Sequence, residues 1–234
     1  MEKFRKVFGS KRVVLPVIHV RDLKQAISNV EVARDAGADG VFLINHEISC
    51  KSLLDIYQMV AGKFPVFWIG INLLGMGPFR VFDTIYGKGL RIQGVWTDNA
   101  RIDESPEEEY QDEPERINRY FPLDTWPGLY FGGVAFKYQR KVFDVWKAAK
   151  IAARFMDVVT TSGPATGEAP EIDKIRLMKQ AIGEKPLAIA SGMTPQNVGE
   201  YLEADCFLVS TGISIDFYTL SGTKTELLVK NVRA

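Results

Sequence analysis

The feature that most constrains this chain is the alternation of short apolar runs with longer amphipathic segments. Three runs lie at residues 157–160, 187–190 and 207–209, and each ends in a cluster of small polar residues. A strand that is apolar along its whole length and precedes a helical segment is typical of a parallel sheet buried on both faces. The alternation therefore predicts an α/β fold.

Five further apolar runs precede these three, which gives eight predicted strands. The five lie at residues 13–20, 40–44, 66–71, 92–96 and 129–136. Helical segments follow nearly every strand, and no linker divides residues 1–234, so a single domain is predicted. A dinucleotide-binding open sheet would carry G-x-G-x-x-G after its first strand, but this first strand ends in His19-Val20-Arg21. Eight regular units therefore favour a closed TIM (β/α)8 barrel.

Composition argues against several classes of protein. The 29 basic and 29 acidic side chains balance, so nothing predicts electrostatic binding of nucleic acid or of an anionic membrane. No segment approaches the roughly 18 apolar residues of a membrane span. The basic segment 1–12 is a poor secretory signal because no long apolar run follows it. With Cys50 and Cys206 as the two cysteines, a disulfide is not expected, and the cytoplasm is the predicted location.

An acidic segment interrupts the regular pattern after the fourth predicted strand. Residues 103–115 contain eight acidic side chains, a density typical of a solvated insertion or of a helix with one exposed face. The alternative is a lid, because a loop at this place in a barrel lies on the catalytic face. No metal site is predicted from this segment, since its acids lack a fixed spacing.

Polar side chains follow the first five predicted strands. They are His19, Asn45, His46, Asn72, Asp98 and Lys137. The C-terminal ends of barrel strands converge on one face, and burying so many polar groups without partners would be costly. A pocket that holds ligand or water therefore explains them best.

Each of these side chains also has a purely structural interpretation. Lys137 can form a Schiff base, act as an acid or base, or bind phosphate, but its stem could simply lie on the wall with its amine in water. Asp98 can act as a general base or orient a sugar hydroxyl, or it can stabilise a turn. His19 and His46 can orient a substrate or transfer protons, and their spacing matches no zinc motif.

Small residues after the last three predicted strands indicate an anion site. They are Ser162, Gly163, Ser191, Gly192, Ser210, Thr211 and Gly212. Glycine lets the backbone approach a ligand closely, and a helix beginning near Thr194-Pro195 would add free N–H groups. Many barrels bind phosphate in the loops after strands seven and eight. The alternative is that these turns merely close the sheet edge tightly.

Three stretches, residues 157–167, 190–198 and 207–212, resemble the BtpA/SgcQ family. They match its TGxATG-like turn, its SGxTPENV-like turn and its VGTS-like strand end, while Lys137 and Thr97-Asp98 match its positions after strands five and four. The histidine of the family's first strand corresponds to His19, although the family's Pro-Gly is absent here. The resemblance covers the second half of the chain well and the first half loosely, and it adds Thr166 and Gly167 to the candidate phosphate ligands.

The resemblance implies a phosphate-binding barrel similar to the ribulose-phosphate-binding barrels. Members have been linked to photosystem I biogenesis and to sugar-metabolism gene clusters. We therefore expect an enzyme that binds a small phosphorylated metabolite, a sugar phosphate or nucleotide-like, without a metal or redox cofactor. Isomerisation, an aldol-type step and glycosyl or phosphoribosyl chemistry all stay open. The alternative is a non-catalytic assembly or regulatory protein with residues 103–115 as its partner surface; a homo-oligomer is compatible with either.

Overall fold

Eight parallel strands close into one barrel in chain order, which confirms the predicted TIM (β/α)8 fold. The structure is a computed structural model and describes residues 2–9, 11–105 and 110–234. Parallel pairing of the first strand with both the second and the eighth closes the cylinder. The strands are β1 Val13–Val20, β2 Gly40–Asn45, β3 Trp68–Asn72, β4 Gly94–Thr97, β5 Leu129–Gly133, β6 Val158–Thr161, β7 Leu187–Ile189 and β8 Cys206–Val209.

Helices cover the outside of the barrel, and side-chain caps begin several of them. Asp22 accepts a hydrogen bond of 2.8 Å from the backbone N–H of Gln25 and so caps the helix between β1 and β2. The helices are α1 Glu2–Phe8, α2 Leu23–Asp35, α3 Cys50–Lys63, α4 Pro78–Gly87, α5 Asp112–Tyr120, α6 Val145–Ala152, α7 Ile172–Ile182 and α8 Gly222–Arg233. A small hairpin, β9 Ser214–Asp216 and β10 Thr219–Leu220, follows β8.

The helix predicted to begin near Thr194 and Pro195 does not form, and that prediction was wrong. The segment makes one short 3-10 turn at Val198–Tyr201 instead. Thr194 and Asn197 bond reciprocally, each side-chain oxygen accepting from the other residue's backbone N–H at 3.2 and 2.8 Å. Such local side-chain bonds compete with helix formation. The loop after β7 is therefore compact and stays close to the barrel mouth.

The barrel interior is a packed apolar core, and α1 closes its N-terminal end. Phe8 lies against Trp68 with ring centroids 5.2 Å apart, and Phe4 and Phe8 belong to the same buried cluster as the inward-facing residues of the strands. These aromatic contacts pack α1 against the N-terminal end of the cylinder. The C-terminal end is not covered by α1.

The acidic segment is partly tied down by its own carboxylates. Glu104 is buried and accepts bonds of 3.0 Å from the Arg140 side chain and from the backbone N–H of Phe143. Glu113 accepts a 3.0 Å bond from the backbone N–H of Phe79. These two carboxylates therefore bond to other parts of the same chain, the loop after β5 and the first turn of α4, and not to a partner protein. Glu107, Glu108 and Glu109 lie outside the described residues, and the lid remains a prediction.

Candidate functional site

A cavity of about 320 Å³ opens at the C-terminal end of the barrel and contains most of the predicted site residues. The predicted residues in its wall are His19, His46, Asp98, Lys137, Thr166, Gly167, Ser191, Gly192, Ser210, Thr211 and Gly212. Four other predicted residues, Asn45, Asn72, Ser162 and Gly163, do not line it. The strand ends thus bring most of the polar groups into one pocket.

A larger cavity of about 810 Å³ lies at the opposite end, beside the N-terminal ends of β3 to β5. Its wall is mainly apolar and aromatic, with Trp68, Tyr86 and Trp126 among its residues, and Arg91 is its one charged residue. It contains no set of acids and bases that could move a proton. The smaller cavity is therefore the candidate active site.

Backbone N–H groups without a hydrogen-bond partner occur in two loops that line the smaller cavity. Within the described residues, no hydrogen bond is donated by the N–H of Gly192 or Met193, after β7, or of Thr211 or Gly212, after β8. All four residues line the cavity. Free backbone N–H groups in a cavity wall are suited to the oxygens of an anion.

Glycine is required where these loops approach each other. Gly192 has a φ of +68°, and a Cβ atom there would overlap the backbone of Ala169. A Cβ atom on Gly212 would overlap the carbonyl oxygen of Met193. Side chains at either position would push the loops after β6, β7 and β8 apart. The glycines therefore hold the N–H groups together.

Two serines predicted to hold phosphate instead bond to neighbouring loops. Ser162 Oγ accepts from the N–H of Lys137 at 2.7 Å and donates to the carbonyl of Gly163 at 2.8 Å. Ser191 Oγ accepts from the N–H of Gly163 at 2.8 Å and donates to the carbonyl of Glu168 at 3.0 Å. Both hydroxyls thus order the loops, which leaves the backbone N–H groups as the candidate donors to an anion.

The two asparagines predicted in the site also have structural partners. Asn45 Oδ1 accepts a 3.0 Å bond from the N–H of Leu74, and its Nδ2 donates to the carbonyl of Ile48 at 3.2 Å. Asn72 Nδ2 donates to Asp98 Oδ1 at 2.8 Å. Asn45 therefore joins the loops after β2 and β3, whereas Asn72 orients a carboxylate of the cavity.

Burial in the cavity changes the pKa values of both Asp98 and Lys137. Burial raises the pKa of Asp98, and the bond from Asn72 and the charge of Lys137 oppose this. Burial lowers the pKa of Lys137, which the charge of Asp98 opposes. The Lys137 ammonium donates to Thr166 Oγ1 at 3.2 Å, beside the anion donors. The two pKa values move toward each other, as acid–base chemistry near neutral pH requires.

His19, His46 and Phe217 form an aromatic cluster on the other side of the cavity. The His19 ring lies 4.7 Å from that of His46 and is stacked 4.2 Å from Phe217. Burial, together with the charges of His46 and Lys137, lowers the pKa of His19 to about 4. Burial is also the main cause that lowers the pKa of His46. Both imidazoles are therefore neutral at pH 7.

The stability of the protein is predicted to fall as the pH falls from 6.5 towards 4. The folded state binds the His19 proton less tightly than the unfolded chain does, so protonation below pH 6.5 favours the unfolded chain. The free energy of unfolding is therefore highest above pH 6.5 and falls on acidification towards pH 4. Lowering the pKa of His19 from 6.5 to about 4 corresponds to a change of about 3 kcal/mol in the free energy of unfolding. Urea unfolding between pH 4 and 7 measures this dependence. A His19→Asn variant should show a flatter profile, and an unchanged slope would contradict the assignment.

Sequence reasoning missed several residues of the cavity wall, above all Trp96, Tyr138 and Phe217. Trp96 is 5% exposed, and its Nε1 forms no hydrogen bond with the described residues, as is also true of His19 Nδ1. Buried polar atoms usually have partners. Tyr138 directly follows Lys137 and could have been considered, but Phe217 lies in a hairpin that no apolar periodicity indicates.

Within residues 2–9, 11–105 and 110–234, no group of three or more His, Cys, Asp or Glu side chains is placed to hold a metal ion. In the same ranges, no helix has the length and hydrophobicity needed to cross a bilayer. Cys50 and Cys206 are both free thiols.

Solved structures with the same architecture cover nearly the whole chain. Phosphoribosyl anthranilate isomerase from Thermus thermophilus aligns with a TM-score of 0.62 at 15% identity, over 94% of this chain and 98% of that one. The native KDPGal structure gives 0.65 at 13%, over 94% of each chain. Tryptophan synthase from Mycobacterium tuberculosis gives 0.67 at 10%, over 100% of this chain and 97% of that one.

These similarities establish the fold. Identities of this size do not transfer an activity, since one barrel architecture hosts many reactions. No family model matches the sequence. No curated protein matches it either. The function has to be argued from the cavity itself.

Proposed function

We propose that this protein is an enzyme that binds a small phosphorylated metabolite, a sugar phosphate or nucleotide-like compound, at the C-terminal end of the barrel. One observation carries the proposal: free backbone N–H groups after β7 and β8 share a cavity with a carboxylate and a lysine. The phosphate would be held by Gly192, Met193, Thr211 and Gly212. Its charge would face the Lys137 ammonium.

The body of the substrate would lie between Lys137, Asp98 and the histidines. Asp98 is held by Asn72 and is the candidate general base. Because burial lowers the pKa of Lys137, a larger fraction of its amine is neutral than in a solvated lysine, so it can act as an acid, a base or a nucleophile. His19 and His46, neutral at pH 7, would orient the substrate or transfer its protons.

The residues are compatible with more than one reaction. On a phosphorylated substrate, isomerisation, an aldol-type step and glycosyl or phosphoribosyl transfer can each use an acid, a base and groups that hold the phosphate. One structural neighbour is named as an isomerase, which agrees with the first kind. The sequence resemblance to the BtpA/SgcQ family supports a phosphate-binding barrel, and family membership is part of this proposal.

Thermal unfolding with added ligands tests the proposal. Inorganic phosphate, ribose 5-phosphate and nucleoside monophosphates are titrated separately, with the unphosphorylated sugars and nucleosides as matched controls. A compound present at about 100 times its dissociation constant should stabilise the folded protein by about 2.7 kcal/mol. Stabilisation by phosphorylated compounds alone is expected.

Two outcomes would count against an enzyme of this kind. If no phosphorylated compound stabilises the protein, the anion site is not a phosphate site. If a compound binds but is never turned over at any pH, the non-catalytic assembly or regulatory protein becomes the better interpretation. In that case the exposed acids of residues 103–115 would be the surface to examine next.

A further inference from the structure

The loop that carries Lys137 has an unusual backbone at both of its ends. Ala135 has a φ of +47° and Tyr138 a φ of +60°. Residues with a side chain rarely adopt this left-handed region. When they do, the surrounding structure has to hold them there, and such residues concentrate at functional sites. The two strained residues bracket Phe136 and Lys137, which explains why β5 ends at Gly133 rather than at the predicted Phe136.

The strained end at Ala135 is held by a lysine that the catalytic proposal does not use. The Lys174 ammonium, in the first turn of α7, donates to the carbonyl oxygen of Ala135 at 2.6 Å and to that of Ser162 at 2.7 Å. Thr161 Oγ1 donates to the same Ala135 carbonyl at 3.2 Å. One amine thus joins the loop after β5 to the end of β6.

The other end of the loop is held by residues of the loop after β6. The N–H of Thr166 donates to the Tyr138 hydroxyl at 3.2 Å, and the N–H of Lys137 itself donates to Ser162 Oγ at 2.7 Å. Lys174 therefore binds the carbonyl of the same serine whose hydroxyl fixes the backbone of Lys137. The contacts form one connected frame around the catalytic candidate.

Lys174 bonds to backbone carbonyls and does not form an ion pair with a described residue. Both of its hydrogen-bond acceptors are backbone carbonyls, and in the described part of the chain no carboxylate lies within ion-pair distance of its amine. Burial lowers its pKa to about 8, against the charge of Glu171. Burying a lysine without an acid is unfavourable, which points to a gain elsewhere.

We propose that Lys174 is the positioning residue for Lys137: it holds the Ala135–Tyr138 loop in its strained conformation so that the Lys137 amine stays inside the cavity. The inference rests on the proposed function, since it takes Lys137 as the catalytic group. It adds a residue outside the cavity wall to the machinery. Without the Lys174 bonds, the loop would relax and the Lys137 amine would turn towards water.

The test measures the basicity of the Lys137 amine directly and needs no substrate. The folded protein is treated briefly with acetic anhydride at a series of pH values, and mass spectrometry follows the acetylation of Lys137. The pH of half-maximal rate reports its pKa. Lys174→Met removes both carbonyl bonds and retains an unbranched side chain. Lys179→Met is the matched control, since Lys179 lies on the same helix and also donates to a backbone carbonyl, that of Lys185, at 3.1 Å.

The expected result is a higher half-maximal pH for Lys137 in Lys174→Met and an unchanged value in Lys179→Met. The rise follows because a better solvated amine is protonated more readily than a buried one. An unchanged value in folded Lys174→Met would overturn the proposal. If that variant does not fold, Thr161→Val decides, because it removes one bond to the Ala135 carbonyl: a smaller rise in the same direction supports the proposal, and no rise overturns it.

Failure of this proposal can be distinguished from failure of the proposed function. The acetylation profile depends on the surroundings of the Lys137 amine and needs no ligand, whereas the proposed function depends on binding of phosphorylated compounds; the neutral Thr161→Val variant separates movement of the loop from the loss of the Lys174 charge. If phosphorylated compounds stabilise the protein but the Lys137 profile is unchanged in Lys174→Met, the positioning role of Lys174 is contradicted and the proposed function is not. Where turnover is found, Lys174→Met should lower kcat more than it changes KM and shift the basic limb of the pH profile.

Discussion

Replacing Lys137 by alanine is expected to lower turnover of the phosphorylated substrate by about 10²–10⁴-fold, the usual contribution of a positioned acid or base. The amine lies in the cavity, 3.2 Å from Thr166 Oγ1, and burial lowers its pKa. The measurement is steady-state kinetics on the compound that stabilises the protein in the thermal screen. We expect a larger effect on kcat than on KM, because the backbone N–H groups still hold the phosphate.

Lys141→Ala is the matched control, since Lys141 is an exposed residue of the same loop. Its kinetics should equal those of the unmodified protein. Full turnover by Lys137→Ala would remove the lysine from the mechanism. Borohydride reduction in the presence of a carbonyl substrate separates the chemical roles, because a Schiff base on Lys137 would be trapped as a stable adduct, whereas an acid–base role leaves none.

Replacing Gly212 by alanine is expected to weaken phosphate binding by about tenfold or more, which corresponds to 1.4 kcal/mol or more. The added methyl group would overlap the carbonyl oxygen of Met193, so the loops after β7 and β8 have to separate. Overpacking of this kind also costs about 1–3 kcal/mol of folding stability. Calorimetric titration with inorganic phosphate and urea unfolding measure the two effects.

Gly199→Ala serves as the control, because a Cβ atom at Gly199 meets no other atom within 4 Å. It should bind phosphate as the parent protein does. A Gly212→Ala variant that binds phosphate with undiminished affinity would show that the close approach of the two loops is not needed for the anion. The stability measurement then tells whether the loops separated at all.

The barrel could be predicted because the alternation of apolar runs with helical segments is repeated along the chain. Each strand is a short apolar run buried on both faces, and eight such runs at regular spacing leave few alternatives. The failures occur where local bonds decide the backbone. β5 stops at Gly133 because Ala135 turns into the left-handed region. The expected helix after β7 is replaced by the reciprocal bonds of Thr194 and Asn197.

Most polar residues of the cavity wall could be predicted from the sequence, but the partner that each side chain bonds to could not. Strand ends converge on one face, so His19, Asp98 and Lys137 could be assigned to one cavity from their positions alone. Whether a polar side chain faces a ligand or a neighbouring loop depends on distances that a sequence does not contain. Ser162 and Ser191 turn to loop carbonyls and N–H groups, and the proposed anion donors are backbone groups, which no residue type reveals.

Residues far apart in the chain were the hardest to find. Phe217 stacks on His19 at 4.2 Å, although 198 positions separate them. Lys174 reaches the carbonyl of Ala135 across 39 positions. Neither residue lies at the C-terminal end of a barrel strand, so the rule that located the other candidates does not apply to them.

We propose that an oxyanion binds to the backbone N–H groups of Gly192, Met193, Thr211 and Gly212. A titration of ¹⁵N-labelled protein with inorganic phosphate, followed through the backbone amide resonances, measures this binding residue by residue. We expect saturable shifts that are largest at these four residues and at neighbours such as Lys137. Saturable shifts confined to another surface, or none at these four amides, would contradict it.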